Sequence, residues 1–333
     1  MPLINISISI ASYNTCDLLR ACLQSLDAQR DEVEAEIIVV DNGSIDGSVE
    51  MVRAEFPKVL LIDAGENLGY GRANNLGLKD AKGRHFFVLN SDTEVQPGAL
   101  QALVHFLDQH PKAGAVTAQL ILPNGNIQPS CATDPNLMKV FWEQTYLDRL
   151  LPHNKITGGY TMTHWNYDDV REVEQVAGAA VVIRREAWEQ VGGFDPAFFM
   201  YFEDTDLCIR LRKAGWCIWF LPDARVHHKV GASSDKDWQL RARMVSSLNW
   251  SRYYYFSKRE STFRGKILKA LVVLGALLRL SAWSVIALIK PSKRDQVKLF
   301  RQVLRQSWKM NLSNSLNGNC NKNNTDEISN LKN

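Results

Sequence analysis

A strand-then-helix alternation repeated over the first 120 residues constrains this chain more than any other feature. Strand patterns rich in Ile, Val, Leu or Phe fall at residues 5–11, 36–41, 59–62, 85–90 and 114–122. Helical patterns fall between them, at 17–29, 48–56 and 70–81. Pro97 is expected to open a further helix over 98–110, at the first-turn position that tolerates proline. Alternation of this kind predicts an α/β fold with a mostly parallel sheet flanked by helices. In such sheets ligands gather at the carboxyl ends of the strands, so the loops after each strand are the places to look for chemistry.

Periodicity weakens over 123–175, where Pro123-Asn124-Gly125-Asn126 reads as a turn and the stretch as a variable, acceptor-side region. Strand and helix texture returns from Gln175 to Val230, and 234–257 reads as a helix. Charge is divided along the chain. Residues 1–250 carry 23 Lys and Arg against 32 Asp and Glu, whereas 251–309 carry 14 against 2. An acidic body joined to a basic segment points that segment at anionic lipid or nucleic acid. The six cysteines contain no C-x-x-C pair and read as reduced thiols, and no secretory signal pattern opens the chain. A cytoplasmic protein is the expectation.

Five constellations carry candidate chemistry. Ser12-Tyr13-Asn14 follows the first strand, and Asp41-Asn42-Gly43-Ser44-Ile45-Asp46-Gly47 follows the second. A strand-end acid such as Asp41 can accept the N3–H of a uracil or thymine, or a ribose hydroxyl. The run is equally well read as a capped turn with no ligand. Asn67-Leu68-Gly69-Tyr70 marks a strand–helix junction, where glycine admits either a ligand or close helix packing. Asn90-Ser91-Asp92 ends the fourth strand, where a carboxylate can hold a divalent cation that bridges a diphosphate, or can cap a turn. Gly192-Gly193-Phe194-Asp195 precedes Glu203-Asp204-Thr205-Asp206 and Arg210. Three carboxylates in four residues raise the pKa of at least one member, which equips it as a base. Helical spacing sets Glu203, Asp206 and Arg210 near one face, so part of the cluster reads as a structural ion pair. His227-His228, followed by Gly231 and Ser233, supplies a possible metal or diphosphate contact.

Taken in order over residues 5–260, these motifs resemble family 2 glycosyltransferases, particularly the bacterial rhamnosyltransferase-like branch. The resemblance implies a GT-A fold (Rossmann-like), a nucleotide-diphosphate sugar donor and inversion at the anomeric carbon, with Mg²⁺ or Mn²⁺ as cofactor. It implies that Asp41 contacts the base, with Ser12, Tyr13 and Asn14 lining that pocket. It implies Asp92 and His228 as metal or diphosphate contacts, and Asp204 as the catalytic base beside Glu203. Asn67, Gly69 and Asn90 fall in the donor-binding motifs. Asn90 stands where the family's Asp-x-Asp motif has its first acid. The branch points to dTDP-rhamnose as donor, with UDP-hexoses as runner-up, and to a glycan or lipid-linked glycan as acceptor.

Residues 267–289 form a nearly continuous apolar run with Arg279 near its middle and lysines at both ends. A helix lying on the cytoplasmic face of the inner membrane is favoured, ahead of a helix packed on protein and ahead of a span. Poor aromatic interleaving in the basic segment argues against nucleic acid. The expected domains are a catalytic region 1–258, a basic and apolar membrane-associating segment 259–310, and an Asn-rich disordered tail 311–333. A donor-binding module without catalysis is the competing class, and the intact Glu203-Asp204 and Asp92 argue against it.

Overall fold

The structure, a computed structural model, describes residues 4–29, 31–150, 162, 165–229 and 237–312. The tail from 313 onward, Gly231 and Ser233, and most of 151–164 lie outside the described residues.

Two compact units divide the chain, Met1–Lys139 with Asp148–Ala232, and Val140–Leu147 with Ser233–Asn333. In the first unit, strands β1 (Ile6–Ser12), β2 (Ala35–Asp41), β3 (Leu60–Asp63) and β4 (His85–Asn90) alternate with helices α1 (Cys16–Asp27), α2 (Ser48–Glu55) and α3 (Tyr70–Leu78). Then come β5 (Thr93–Val95), α4 (Ala99–Gln109), β6 (Ala113–Ile121), β7 (Ile127–Gln128) and β8 (Cys131–Ala132). Helix α5 (Leu137–Gln144), most of which belongs to the second unit, and the short α6 (Leu147–Leu150) precede β9 (Arg171–Glu172), β10 (Gln175–Val176) and β11 (Ala180–Arg184). Helices α7 (Arg185–Val191) and α8 (Glu203–Lys213) and the long strand β12 (Cys217–His228) complete it.

The main sheet runs β3-β2-β1-β4-β11-β6-β12-β5. Its first half is parallel, as the alternation requires, but β11 enters antiparallel between β4 and β6, so the sheet is mixed. Period-2 alternation sends side chains to both faces. Phe87 and Leu89 of β4 pack with Leu19 of α1 and Leu103 of α4, while Phe86 and Val88 pack with Ala73 of α3 and Leu207 of α8. The chain passes from β1 outward to β3 and then returns to place β4 on the other side of β1. That reversal opens a crevice at the carboxyl ends of β1 and β4. Ser12 pairs with Asp41, and Ala11 with Asn90, which brings three motifs to one edge.

One sequence expectation needs adjustment, and one is made more specific. Pro97 precedes the helix rather than opening it: Gly98, at φ 78°, is the N-cap and α4 begins at Ala99. The turn at 123–126 is a hairpin joining β6 to β7, with Gly125 at φ 83°.

The second unit holds α9 (Trp238–Tyr255), a π turn at Phe256–Glu260, α10 (Thr262–Ile289), a 3-10 turn at Pro291–Lys293 and α11 (Arg294–Trp308). Ala242, Ala276, Leu299 and Val303 form its small core. The helix expected over 234–257 thus groups with the C-terminal helices by compactness.

Candidate active site

The loops after β1 and β2 are laced together by their own polar side chains. Asn14, in the left-handed region at φ 52°, accepts the Ile45 N–H at 2.9 Å and donates its own N–H to Ser44 Oγ at 2.9 Å. Asp46 accepts the Cys16 N–H at 2.8 Å. Asp41 is 1% exposed. One of its oxygens accepts the N–H groups of Gly43 and Ser44, at 3.0 and 2.8 Å, so the capped turn is present. The other oxygen is buried with no partner among the described residues. Ser12 Oγ lies 2.9 Å from Thr15 Oγ1, which donates to Ser91 Oγ at 3.0 Å and ties this loop to the end of β4. Tyr13 is exposed at the rim.

The Asn67–Tyr70 junction is accounted for by packing. Asn67 Oδ1 accepts the Gly69 N–H at 2.9 Å. Gly69 sits at φ 82° and ψ 177°, a region essentially reserved for glycine, and a Cβ there would lie 2.2 Å from the Phe199 carbonyl oxygen. The Tyr70 N–H donates to that same carbonyl at 2.9 Å. Gly69 therefore holds the start of α3 against the segment leading into α8.

At the end of β4, Asp92 Oδ1 lies 3.2 Å from His228 Nε2, and Asn90 Nδ2 lies 3.4 Å from the same nitrogen. Strand alternation buries His228 and leaves its neighbour His227 half-exposed, so His228 is the histidine that meets Asp92. Its Nδ1 lies 2.8 Å from Gln128 Oε1, and in the tautomer with the proton on Nδ1 the Nε2 lone pair faces the carboxylate. Two acceptors held at this separation suit a cation between them, and a histidine whose far nitrogen is engaged is the usual form of a metal ligand. Among the described residues no cluster of three or more His, Cys, Asp and Glu could hold a metal, so Asp92 and His228 are a two-residue set. A divalent cation held there would take its remaining ligands from diphosphate oxygens and water.

The acidic cluster opens α8. Tyr201 and Phe202 both occupy the left-handed region, at φ 68° and 72°, and this backbone turn sets the direction of the helix start. Asp206 is 1% exposed and forms a 2.7 Å pair with Arg210, which also donates to the carbonyls of Val191 and Gly193 at 2.8 and 2.7 Å. Asp206 is thereby the structural ion pair, and it braces the Gly-Gly-Phe-Asp turn. Asn75 clips the same turn from α3, donating to the Phe194 carbonyl and accepting the Phe194 N–H.

Glu203 and Asp204 remain, in different surroundings. Glu203 is buried, and its Oε2 has no partner among the described residues. Desolvation, then the charge of Asp204, pushes its pKa up to about 8. Asp204 is half-buried, and its carboxylate accepts the N–H groups of Gly178 at 3.1 Å and Thr205 at 2.7 Å. Desolvation raises its pKa too, while those two donors hold the rise back. The proton therefore rests on Glu203 and the charge on Asp204.

Tyr70 links the two acidic groups. Its hydroxyl donates to the Gly178 carbonyl at 2.5 Å, and the Gly178 N–H in turn meets Asp204. Burial, then the charges of Glu203, Asp204 and Asp92, raises the Tyr70 pKa well above its ordinary value. Sequence reasoning placed Tyr70 in a motif without a role, and it missed Gln128 and Gly178. Both lie where periodicity gives no signal.

Comparison with known proteins identifies the family and the fold. Residues 7–130 match the model described as Glycosyl transferase family 2, and residues 85–292 match Glycosyl transferase family group 2. The chain is 32% identical over 279 residues to the N-acetylglucosaminyl-diphospho-decaprenol L-rhamnosyltransferase of Mycobacterium tuberculosis, covering 80% of this chain and 89% of that protein. It is 29% identical over 243 residues to the O-antigen biosynthesis protein RfbC of Myxococcus xanthus, covering 70% of this chain and 18% of that protein. Among solved structures, a mannosyltransferase from Pyrobaculum calidifontis in complex with GDP-Man and Mn²⁺ superposes with a TM-score of 0.51 at 18% identity. That match covers 92% of this chain and 86% of the other, and it shows a shared fold.

Proposed function

The chain belongs to glycosyltransferase family 2, and from that premise we propose that it is an inverting transferase that moves L-rhamnose from dTDP-rhamnose to a hydroxyl of a lipid-linked glycan in cell-surface polysaccharide synthesis. One observation carries the reading. The half-buried Asp204 meets Tyr70 through Gly178, and the Asp92–His228 pair stands at the end of β4, where the loops after β1 and β4 are tied together. The sugar and the acceptor class rest on the relative at 32% identity, whose name states both.

In this reading Asp41 accepts the base N3–H, a contact that thymine and uracil share, once donor binding opens the turn that buries its second oxygen. Ser12, Tyr13, Asn14 and Asn67 line the donor side, and Gly69 shapes it. Asp204 removes the proton from the acceptor hydroxyl as that oxygen attacks the anomeric carbon from the face opposite the leaving nucleoside diphosphate. The new C–O bond forms as the bond to the diphosphate oxygen breaks, so one displacement inverts the centre. Glu203, kept neutral, adds no second charge beside the base. Asp92 and His228, with Asn90 adjacent, are the residues that would hold a divalent cation, and such a cation would supply positive charge against the departing diphosphate. The structural relative bound to Mn²⁺ is in keeping with that cofactor. The catalytic region is 1–258, and the enzyme works at the cytoplasmic face of the membrane, where a lipid-linked acceptor is met.

The test is a thermal-stabilisation panel of nucleotide sugars, followed by transfer to a GlcNAc-diphospho-lipid and NMR of the product. Selective stabilisation by dTDP-rhamnose and an inverted anomeric centre are the expected results. A retained configuration, or stabilisation by UDP-hexoses alone, overturns the assignment.

A further inference from the structure

Helix α10 presents two apolar faces, and the second unit occupies one of them. Leu268, Val272 and Ala276 are buried on that packed face. Gly275 lies on it too: a Cβ there would meet Gln144 Oε1 at 2.3 Å, so the helix backbone and the end of α5 approach closely. Arg279, which the sequence set awkwardly inside the apolar run, also belongs to the packed face. It donates to Gln144 Oε1 at 2.6 Å and to the Glu143 carbonyl at 2.8 Å, and it covers the Tyr146 ring at 4.5 Å.

On the opposite face, Leu274, Leu277, Leu278, Val285, Leu288 and Ile289 are exposed, with Leu288 at 84% and Ile289 at 78%. Their spacing by three and four residues makes one continuous stripe, with Ser281 and Ala282 filling the intervening turn. Over residues 274–289 it runs about 22 Å. A helix apolar on every side is stable where protein covers one side and something other than water covers the other. Charge identifies that cover. Residues 251–309 carry 14 Lys and Arg against 2 acids, Lys290, Lys293 and Arg294 follow the stripe directly, and α11 exposes Arg294, Lys298, Arg301 and Arg305 on one face. Ser284 Oγ donates to the Leu280 carbonyl at 2.7 Å, so its hydroxyl needs no water.

Resting on the acceptor class proposed above, we infer that the 274–289 stripe of α10 is a membrane-docking face that lies flat in the headgroup region of an anionic bilayer without crossing it. Thr262–Ile289 is long and apolar enough to span by length and composition. Spanning, however, strips Arg279 of Gln144 and the Glu143 carbonyl and draws a cation to mid-bilayer depth, and it carries Lys290, Lys293 and Arg294 across the hydrocarbon. Lying flat keeps every one of those partners and sets the lysines at phosphate level.

The experiment is co-sedimentation of the full-length protein with vesicles of phosphatidylcholine alone or with 30% phosphatidylglycerol. Two double variants, L274Q/L278Q and L288Q/I289Q, are compared with wild type. The expected result is binding to the anionic vesicles only, weakened at least tenfold by either variant and released by carbonate. Stabilisation by dTDP-rhamnose should be unchanged throughout, which separates a failure of this inference from a failure of the proposed function. Equal binding by wild type and variants, or resistance of the wild type to carbonate, overturns it. So does a dimeric wild type that the variants render monomeric, since a second copy then covers the stripe.

Discussion

Replacing Asp204 by Asn tests the division of labour between the two adjacent acids. The substitution removes the proton acceptor while keeping the shape. A general base contributes about 10²–10⁴-fold, or roughly 2.7–5.4 kcal/mol of transition-state free energy. A structural cost is added, because Asp204 accepts two N–H groups, from Gly178 and Thr205. The Asn amide can serve one of them with its oxygen and turns a donor toward the other. The loss is one hydrogen bond to a charged group, about 1.5–3 kcal/mol when buried and less at this half-buried position. That corresponds to a fall in Tm of a few degrees. At 25 °C the variant stays folded, so turnover reports chemistry. Glu203→Gln is the control: the amide replaces an acid already neutral at pH 7, and transfer should stay within about threefold of wild type. The assay is steady-state transfer to a GlcNAc-diphospho-lipid, with donor affinity from thermal stabilisation. Asp204→Asn should lose at least a hundredfold in kcat with donor affinity changed no more than a few-fold. If it keeps more than a tenth of the rate while Glu203→Gln is dead, the roles are reversed and the argument from hydrogen bonding fails.

Asp92→Ala should weaken donor binding and its dependence on divalent cation, with partial recovery at high Mn²⁺; activity of the wild type that survives EDTA refutes the cation's place between Asp92 and His228. Gly69→Ala forces a Cβ against the Phe199 carbonyl in a glycine-only conformation, and the sum of strain and overpacking is on the order of 2–5 kcal/mol, to be read by urea denaturation. Tyr70→Phe removes the donor to Gly178 and should lower kcat more than it raises KM, whereas an equal effect on both makes the ring mere packing. The folded state holds the Glu203 proton up to about pH 8, while an unfolded glutamate releases it near 4.5. Stability should therefore fall as pH rises through that window, and Glu203→Gln should flatten the fall in Tm between pH 5 and 9.

Much of this site was legible in the sequence because its chemistry sits at strand ends. Apolar runs such as Phe86-Phe87-Val88-Leu89 announce a buried strand, so the polar residues that follow, Asn90 to Asp92, had to lie at the carboxyl edge. The same reasoning reached Asp41 and Ser12. What escaped it came from long-range pairing. Gln128 meets His228 across 100 residues of chain, and Gly178 meets Asp204 from a two-residue strand's end, so no local period marks either. The antiparallel entry of β11 into the sheet is likewise a matter of topology. Arg279 looked like a charge stranded in an apolar helix because sequence shows spacing but not the partner, and Gln144 lies 135 residues away.

The order Glu-Asp at the start of α8 has a physical logic of its own. Neighbours on a helix diverge by about 100°, so two consecutive acids cannot share one environment. Glu203 points into the packing beneath α3, where Gly71 leaves room beside its Cβ, and burial makes it hold its proton. Asp204 points to the Gly178 backbone and stays half-open, where N–H groups favour its charge. The helix start adds its partial positive charge to that preference. A pair of acids that together would repel is thus split into one neutral packing group and one anion. The anion has no cationic partner among these motif residues, and such a partner would lower its basicity. Asp206 completes the scheme by taking Arg210 to itself, so the nearest guanidinium in the motif is committed to the Val191 and Gly193 carbonyls. Folding assigns each of the three carboxylates a different neighbour, which is what the proposed base role of Asp204 requires.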